Sequence, residues 1–210
     1  MRLNLHKFID TFKVLKEYLF PVRKLTDKFQ SLTSLVQLKK FIQERSAHVS
    51  QTTLFGYIKT RMGFKHYLMF DDKSFLESLD IAKWNIYASS LLDCTFYTFS
   101  YLYGKKNFDC TKNAEKLFVE ILLEEESNGL PRKISDEIRK EFKIKLRSTN
   151  WSSYYLNEPF KNSGLSLYKW SPIADELKKL DKEVVLNSIK FKWNTVQNEF
   201  EGFTKNFKNF

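Results

Sequence analysis

The residues whose types could do chemistry are concentrated between positions 45 and 93. From Trp84 to Tyr103 the only formal charge is Asp93, and the segment from 45 to 61 is rich in cations. A buried carboxylate needs a charged or hydrogen-bonding partner, so we predict that Asp93 pairs with one of three cations: Arg45, Lys59 or Arg61. Helical bundles place ligand sites in their cores, and the candidate pocket residues here are Arg45, His48, Tyr57, Lys59, Arg61, Lys83 and Asp93.

Motifs of several enzyme and metal-binding classes are missing from the sequence. It contains no G-x-S-x-G elbow, phosphate-binding loop, dinucleotide fingerprint, H-E-x-x-H pair or EF-hand loop. The three histidines, His6, His48 and His66, are few and scattered, so we predict no metal site and no cofactor. Glu44 and His48, at i, i+4 spacing, form the weaker metal-binding hypothesis.

A serine hydrolase would need a nucleophile, a base and donors for the oxyanion. His48 lies near Ser46 and Ser50, but helical neighbours two positions apart point to different faces. A serine from a later segment, Ser163 or Ser166, is the alternative nucleophile. We therefore predict no intrinsic esterase activity, and keep a small-ligand-binding protein or hydrolase with a polar pocket as a second hypothesis.

One long stretch, Phe75–Tyr103, organises the chain. It has no Gly or Pro and few charges, and its apolar residues recur at helical spacing, which predicts a long helix buried on most faces. Asp71, Asp72 and Ser74 are N-cap candidates, and Gly104 is an end signal. The stretch is long enough to cross a membrane, but one carboxylate and several hydroxyl residues dilute it. A buried bundle helix is therefore favoured.

Helices dominate the predicted fold because Gly and Pro are scarce, with six and four residues. We predict a break at Ser50 and Gln51 and a close helix approach at Gly56. An acidic and a basic helix, 111–126 and 135–147, should form a complementary pair. The other predicted helices are 3–20, 22–32, 34–49, 52–62 and 172–203, with Pro172 at the first helical position. Together these features predict an all-α, single-domain multi-helix bundle around a central helix at about 75–104, in which residues 1–32 form basic amphipathic helices and residues 33–210 the bundle.

The segment 151–170 is rich in aromatic residues and is predicted to be irregular, since it contains Pro159 and Gly164. The favoured hypothesis is a lid that covers the core. The alternative is a surface for a protein partner, formed by Trp151, Tyr154, Tyr155, Tyr168 and Trp170.

The net charge of +10 and the pI near 9.4 permit anionic partners without selecting one. The basic N-terminal helices could attach to an anionic membrane surface, although packing on the core is favoured. Nucleic-acid binding, which is not favoured, would need a continuous basic face with nearby aromatics, built from Arg139, Lys140, Lys143 and Arg147. Cys94 and Cys110 lack C-x-x-C spacing and no secretory signal is evident, which predicts free thiols and a cytoplasmic protein.

Two stretches, RSAHVSQTTLFGYIKTRMG and SLDIAKWNIYASSLLDCTFY, resemble a poorly characterised proteobacterial all-helical family whose members are sometimes labelled esterase. The resemblance covers roughly Phe41 to Tyr103, about a third of the chain. It implies an all-helical bacterial protein. The label would imply a nucleophile, a base and an oxyanion hole, which these stretches do not supply, so esterase activity remains the minority hypothesis.

The function predicted from the sequence is non-catalytic. We expect a helical binding or assembly protein that acts on a protein partner or a larger complex, or at the periphery of a membrane. The sequence leaves the oligomeric state open.

Overall fold

The structure is a computed structural model that describes residues 31–63 and 69–207. It confirms the all-α multi-helix bundle. The predicted helices of residues 1–30, and His66, lie outside the described residues. The described α-helices are α1 (Leu35–Met62), α2 (Lys73–Lys106), α3 (Ala114–Ser127), α4 (Arg132–Ser148), α5 (Lys161–Trp170) and α6 (Asp175–Phe203), with short 3-10 turns at Thr111–Asn113 and Tyr154–Leu156.

Helix α2 is the central helix, as predicted, and α1, α4 and α5 pack around it. The carboxylate of Asp72 accepts hydrogen bonds from the backbone N–H groups of Ser74 and Phe75, which fixes the start of the helix. Every residue from Ser90 to Leu102 is buried. Buried helices are normally apolar all round, so the polar side chains of this stretch need partners inside the protein.

The central helix ends two residues beyond the end signal predicted at Gly104, because α2 continues to Lys106. The helix ends at Asn107, which adopts a left-handed conformation with φ 52° and ψ 34°. Gly104 serves a packing purpose instead. A Cβ at this position would overlap the carbonyl oxygen of Ser152 and lie 2.9 Å from the Tyr155 ring.

Helix α1 is continuous over 28 residues, so the predicted break at Ser50 and Gln51 is wrong. Hydroxyl side chains in its middle donate back to carbonyls of the preceding turn, for example Thr53 to Val49 at 2.6 Å, and so remain compatible with the helix. The close approach predicted at Gly56 is also absent, since a Cβ there would meet nothing within 4 Å. The contact with α2 occurs at Ser46, whose hydroxyl donates to the Ser90 carbonyl at 3.1 Å.

The acidic and basic helices α3 and α4 pair as predicted. Lys143 lies 3.6 Å from Glu115, and Arg139 lies 3.9 Å from Glu126. The buried side chains of Phe118 and Phe142 stack between the two helices with centroids 4.2 Å apart. Charge pairing at the rim and ring stacking inside therefore fix α3 against α4.

The segment 151–170 is more regular than predicted, because it contains a 3-10 turn and the ten-residue helix α5. Gly164 is tolerated inside α5 because it packs closely, and a Cβ there would lie 3.2 Å from the side chain of Leu186. Trp151 stacks on Phe96 at 5.3 Å. Phe160 stacks on Trp193 of α6 at 4.1 Å, so this segment covers the core.

Helix α6 begins at Asp175 rather than at Pro172. Its inward side chains recur at three- and four-residue spacing and form what we call the core seam: Val185, Ile189, Trp193, Val196 and Phe200. Within residues 31–63 and 69–207, no helix combines the length and the apolar character that a membrane crossing requires.

Candidate functional site

The carboxylate of Asp93 is completely buried and is held by three donors from α4 and α5. Lys145 Nζ lies 3.3 Å and Asn162 Nδ2 3.0 Å from Oδ1, and the backbone N–H of Ser163 donates to Oδ2 at 2.7 Å. The predicted pairing of Asp93 with Arg45, Lys59 or Arg61 is therefore wrong. The three donors lie 52 to 70 residues later in the chain.

The position of Asp93 explains this choice of partners. Ser163 lies in the first turn of α5, where backbone N–H groups lack helical acceptors. Asp93 therefore caps α5 from the neighbouring helix, where the positive end of the helix dipole favours a carboxylate. Lys145 Nζ also lies 5.0 Å from the ring centroid of Phe96 and 4.8 Å from that of Tyr154.

Burial raises the pKa of the Asp93 carboxyl to about 6, against the opposing effects of Lys145 and the Ser163 N–H. The hydroxyl of Ser163 accepts from Trp193 Nε1 at 2.9 Å and donates to the Phe160 carbonyl at 2.9 Å. The cluster thus connects α2, α4, α5 and α6 through one carboxylate and one hydroxyl.

Arg45 and His48 lie on α1 beside α6. Arg45 is buried and makes a two-pronged contact with Glu199, in which Nε donates to Oε2 at 2.7 Å. His48 is partly buried, and burial together with the nearby Lys192 and Arg45 lowers its pKa. These residues link α1 to α6.

Tyr57 and Arg61 meet a different acid of α6. Tyr57 donates its hydroxyl proton to Asp181 Oδ2 at 2.9 Å, and Arg61 grips both oxygens of the same carboxylate. Burial and the hydrogen bond to Asp181 raise the pKa of Tyr57 to about 12. Lys59, between them in sequence, is exposed.

The remaining candidate, Lys83, pairs with Asp80 at 2.6 Å and lies over the Trp84 ring at 4.5 Å. The structure therefore groups Arg45 with His48 and Tyr57 with Arg61, and it places Lys59, Lys83 and Asp93 apart from both groups. The seven side chains do not converge on one cavity. The candidate residues other than Lys59 interact with neighbouring residues or with other helices.

Three clefts among the described residues are lined by other side chains. A cleft of about 290 Å³ between α2, α4 and α5 has polar walls that include Asn85, Glu137, Glu141, Asn162 and Lys169. An apolar cleft of about 220 Å³ between α5 and α6 lies beside Phe160, Leu186, Ile189 and Trp193. A shallow depression of about 540 Å³ opens where α2 begins.

The serines considered as nucleophiles have internal partners. Ser166 donates to the Asn85 carbonyl at 3.1 Å, and Ser163 donates to the Phe160 carbonyl. Both cysteines are free and buried, and burial raises the pKa of Cys94 and of Cys110 to about 12. No cluster of three or more metal-binding side chains occurs in the part of the chain that the structure describes.

The five aromatic residues predicted as a partner surface are only partly exposed and pack against the core. The hydroxyl of Tyr154 donates to the Pro159 carbonyl at 3.0 Å, and the Tyr155 ring meets that of Tyr101 edge-on at 5.6 Å. The Nζ atom of Lys182 lies 5.9 Å from the ring centroid of Tyr168, and that of Lys169 lies 4.7 Å from the ring centroid of Trp170. With Trp151 stacked on Phe96, these contacts support the hypothesis of a lid over the core.

The exposed apolar surface that sequence reasoning missed lies on α6, on the face opposite the core seam. We call it the outer stripe: Leu177, Leu180, Val184 and Phe191 are 43%, 78%, 69% and 69% exposed. The sequence predicted one helix at 172–203 without separating two apolar faces on it. The separating signal was present, since both sets recur at helical spacing but in registers that place them on different sides of the helix.

A comparison of the chain with protein-family models, curated proteins and solved structures finds no match.

Proposed function

We propose that the chain is a helical protein-binding module that assembles through the outer stripe of α6. The observation that carries this proposal is the exposure of four large apolar side chains on one face of a helix whose opposite face is fully packed. Large apolar side chains gathered on one exposed face, unlike singly scattered ones, mark interaction sites in folded proteins. The spacing along the helix matches the seam that a second helix would bury.

The interior supports a binding role over a ligand pocket. Two of the three clefts measure about 290 and 220 Å³, below the roughly 300–1,000 Å³ of typical small-molecule sites, and the third, of about 540 Å³, is a shallow depression of the surface. Five of the seven polar residues of the predicted pocket make hydrogen bonds or ion pairs that link helices or neighbouring residues. A packed interior with an apolar outer face is the combination expected of an assembly protein.

The test is site-specific photo-crosslinking. A benzoylphenylalanine side chain replaces Phe191 in one variant and Ile144 of α4 in another. Both native residues are apolar and 69% exposed, so they are matched in exposure but lie on different surfaces. Irradiation in extract of the source cells should give discrete protein adducts from position 191, and these should disappear when Leu180→Asp is added.

Adducts that form equally from positions 144 and 191, or at neither position, would contradict the proposal. Mass spectrometry of the adduct identifies the partner, which is either another protein or a second copy of the chain. Either partner is compatible with a binding module.

A further inference from the structure

We infer that the partner of the outer stripe is a second copy of this chain, bound with its α6 antiparallel. This inference rests on the proposed function and names the partner of the same surface. Asn187 and Asn194 lie on the same face as the outer stripe. Together with its four apolar residues they form a seam of alternating three- and four-residue spacing: Leu177, Leu180, Val184, Asn187, Phe191 and Asn194. These 18 positions span about 27 Å at 1.5 Å per residue, which is enough for a helix-to-helix contact.

The charges that flank the stripe favour an antiparallel arrangement. One flank carries Glu176, Glu183 and Lys190 at seven-residue intervals, and the other carries Asp181, Ser188 and Thr195. In a parallel pair the two different flanks face each other. Glu176 would then meet the partner's Asp181, and no opposite charges would meet. Flanking charges of this kind set the orientation of paired helices.

In an antiparallel pair each flank faces the same flank of the partner helix. The register that packs Leu180 against the partner's Phe191 also places Val184 against the partner's Asn187. In that register Glu183 faces the partner's Lys190, and the two-fold axis repeats the pair. Both Glu183 and Lys190 are exposed. An isologous interface of this kind closes as a dimer.

Asn187 at the centre helps to select this register. A polar residue within an apolar seam lowers stability but fixes alignment, because other registers bury it against larger apolar side chains. Asp181 on the second flank is already paired with Arg61 and Tyr57, so its charge contributes little repulsion between the two α6 helices. An anionic membrane fits the stripe less well, since Glu176 and Glu183 border it directly.

The interface is small, because a single helix face buries less than the roughly 1,200 Å² of standard complexes. We therefore expect a weak dimer, with a dissociation constant of about 1–100 μM at low salt, that weakens as salt screens the flanking pairs. Sedimentation velocity of the full-length chain over a concentration series measures this constant. Circular dichroism checks that each variant is folded.

Charge reversal distinguishes this arrangement from other dimers. Glu183→Lys and Lys190→Glu each create two like-charge pairs across the axis and should weaken self-association about tenfold to thirtyfold. An equimolar mixture of the two variants restores both opposite-charge pairs, so it should associate as tightly as wild type. The matched control is Glu176→Lys, which faces the partner's neutral Gln197 and should change the constant by less than about twofold.

Two results would overturn the inference. The first is a wild-type chain that stays monomeric at several hundred micromolar. The second is a dimer that the mixture of reversed variants does not restore. If the chain is monomeric while position 191 still crosslinks to a different protein, the antiparallel dimer is refuted and the binding module stands. If position 191 crosslinks to nothing, both proposals fail.

Discussion

Replacing Asp93 by alanine tests whether its buried cluster holds the bundle together. The substitution removes the acceptor of three donors at once: Lys145, Asn162 and the N–H of Ser163. The Ser163 N–H is buried, and a buried donor without an acceptor costs about 1–3 kcal/mol. Breaking a buried ion pair by removing one partner costs about 3–5 kcal/mol, which we take as the total expected here.

That loss is large compared with the roughly 5–15 kcal/mol that stabilises a typical domain. For a chain of 210 residues, at roughly 2–4 °C per kcal/mol, it should lower the melting temperature by about 6–20 °C. Urea unfolding gives the free energy directly when it is followed by tryptophan fluorescence and circular dichroism. Trp151 and Trp193 lie beside the cluster and report on its packing.

Asp80→Ala is the matched control, since it removes a carboxylate from the same helix. Asp80 pairs with Lys83 at 2.6 Å, but its side chain is 47% exposed, and exposed pairs contribute at most about 1 kcal/mol. If the two variants unfold within about 1 kcal/mol of each other, Asp93 does not brace α2, α4 and α5, and the reasoning fails.

Two further predictions concern backbone packing and pH. Gly104→Ala should destabilise the chain by about 1–3 kcal/mol, because its Cβ would overlap the Ser152 carbonyl. Gly56→Ala is the control, because a Cβ at position 56 would meet nothing within 4 Å, and it should stabilise the chain by about 0.5–1 kcal/mol. Thermal unfolding measures both variants. If they change the stability equally, the close packing at Gly104 is contradicted. Because burial raises the pKa of Asp93 to about 6, from about 3.9 in an unfolded chain, this carboxyl contributes stability below pH 4 that is lost as pH rises to about 6. The unfolding free energy of wild type should therefore fall relative to that of Asp93→Asn between about pH 4 and pH 6. Groups that titrate in both proteins, such as His48, cancel when one free energy is subtracted from the other. If the two free energies differ by the same amount at every pH, the pKa of Asp93 is not raised.

The central helix could be predicted because its signals are local. A run without Gly or Pro, an N-cap at Asp72 and apolar residues on most faces all lie within one stretch. The end of α2 could not be predicted from Gly104, because a glycine is needed there to leave room for the carbonyl of Ser152, 48 positions later in the chain. Glycine meets two physical needs, a left-handed turn and a close approach, and sequence alone does not separate them.

The partners of Asp93 illustrate a second limit. The sequence showed that a buried carboxylate needed donors, and cations on a neighbouring helix were reasonable candidates. The choice depended on which helix end faced Asp93. Helix α5, whose first N–H groups needed an acceptor, was not predicted because Pro159 and Gly164 indicated an irregular segment.

The distribution of polar residues in the bundle bears on where its function lies. Arg45, Arg61 and Asp93 look like parts of one site in the sequence, yet they act at separate places. Arg45 and Arg61 tie α1 to α6 at two different points, and Asp93 ties α2 to α4 and α5. The Asp93 carboxylate and the Arg45 guanidinium are buried, so the helices that they join must keep the directions that bring their partners within reach. A helix held so firmly on one face presents its other face as a rigid surface, which lowers the ordering cost of binding. The outer stripe of α6 lies on such a helix, which supports our proposal that the function resides on the outside of the bundle rather than in its interior.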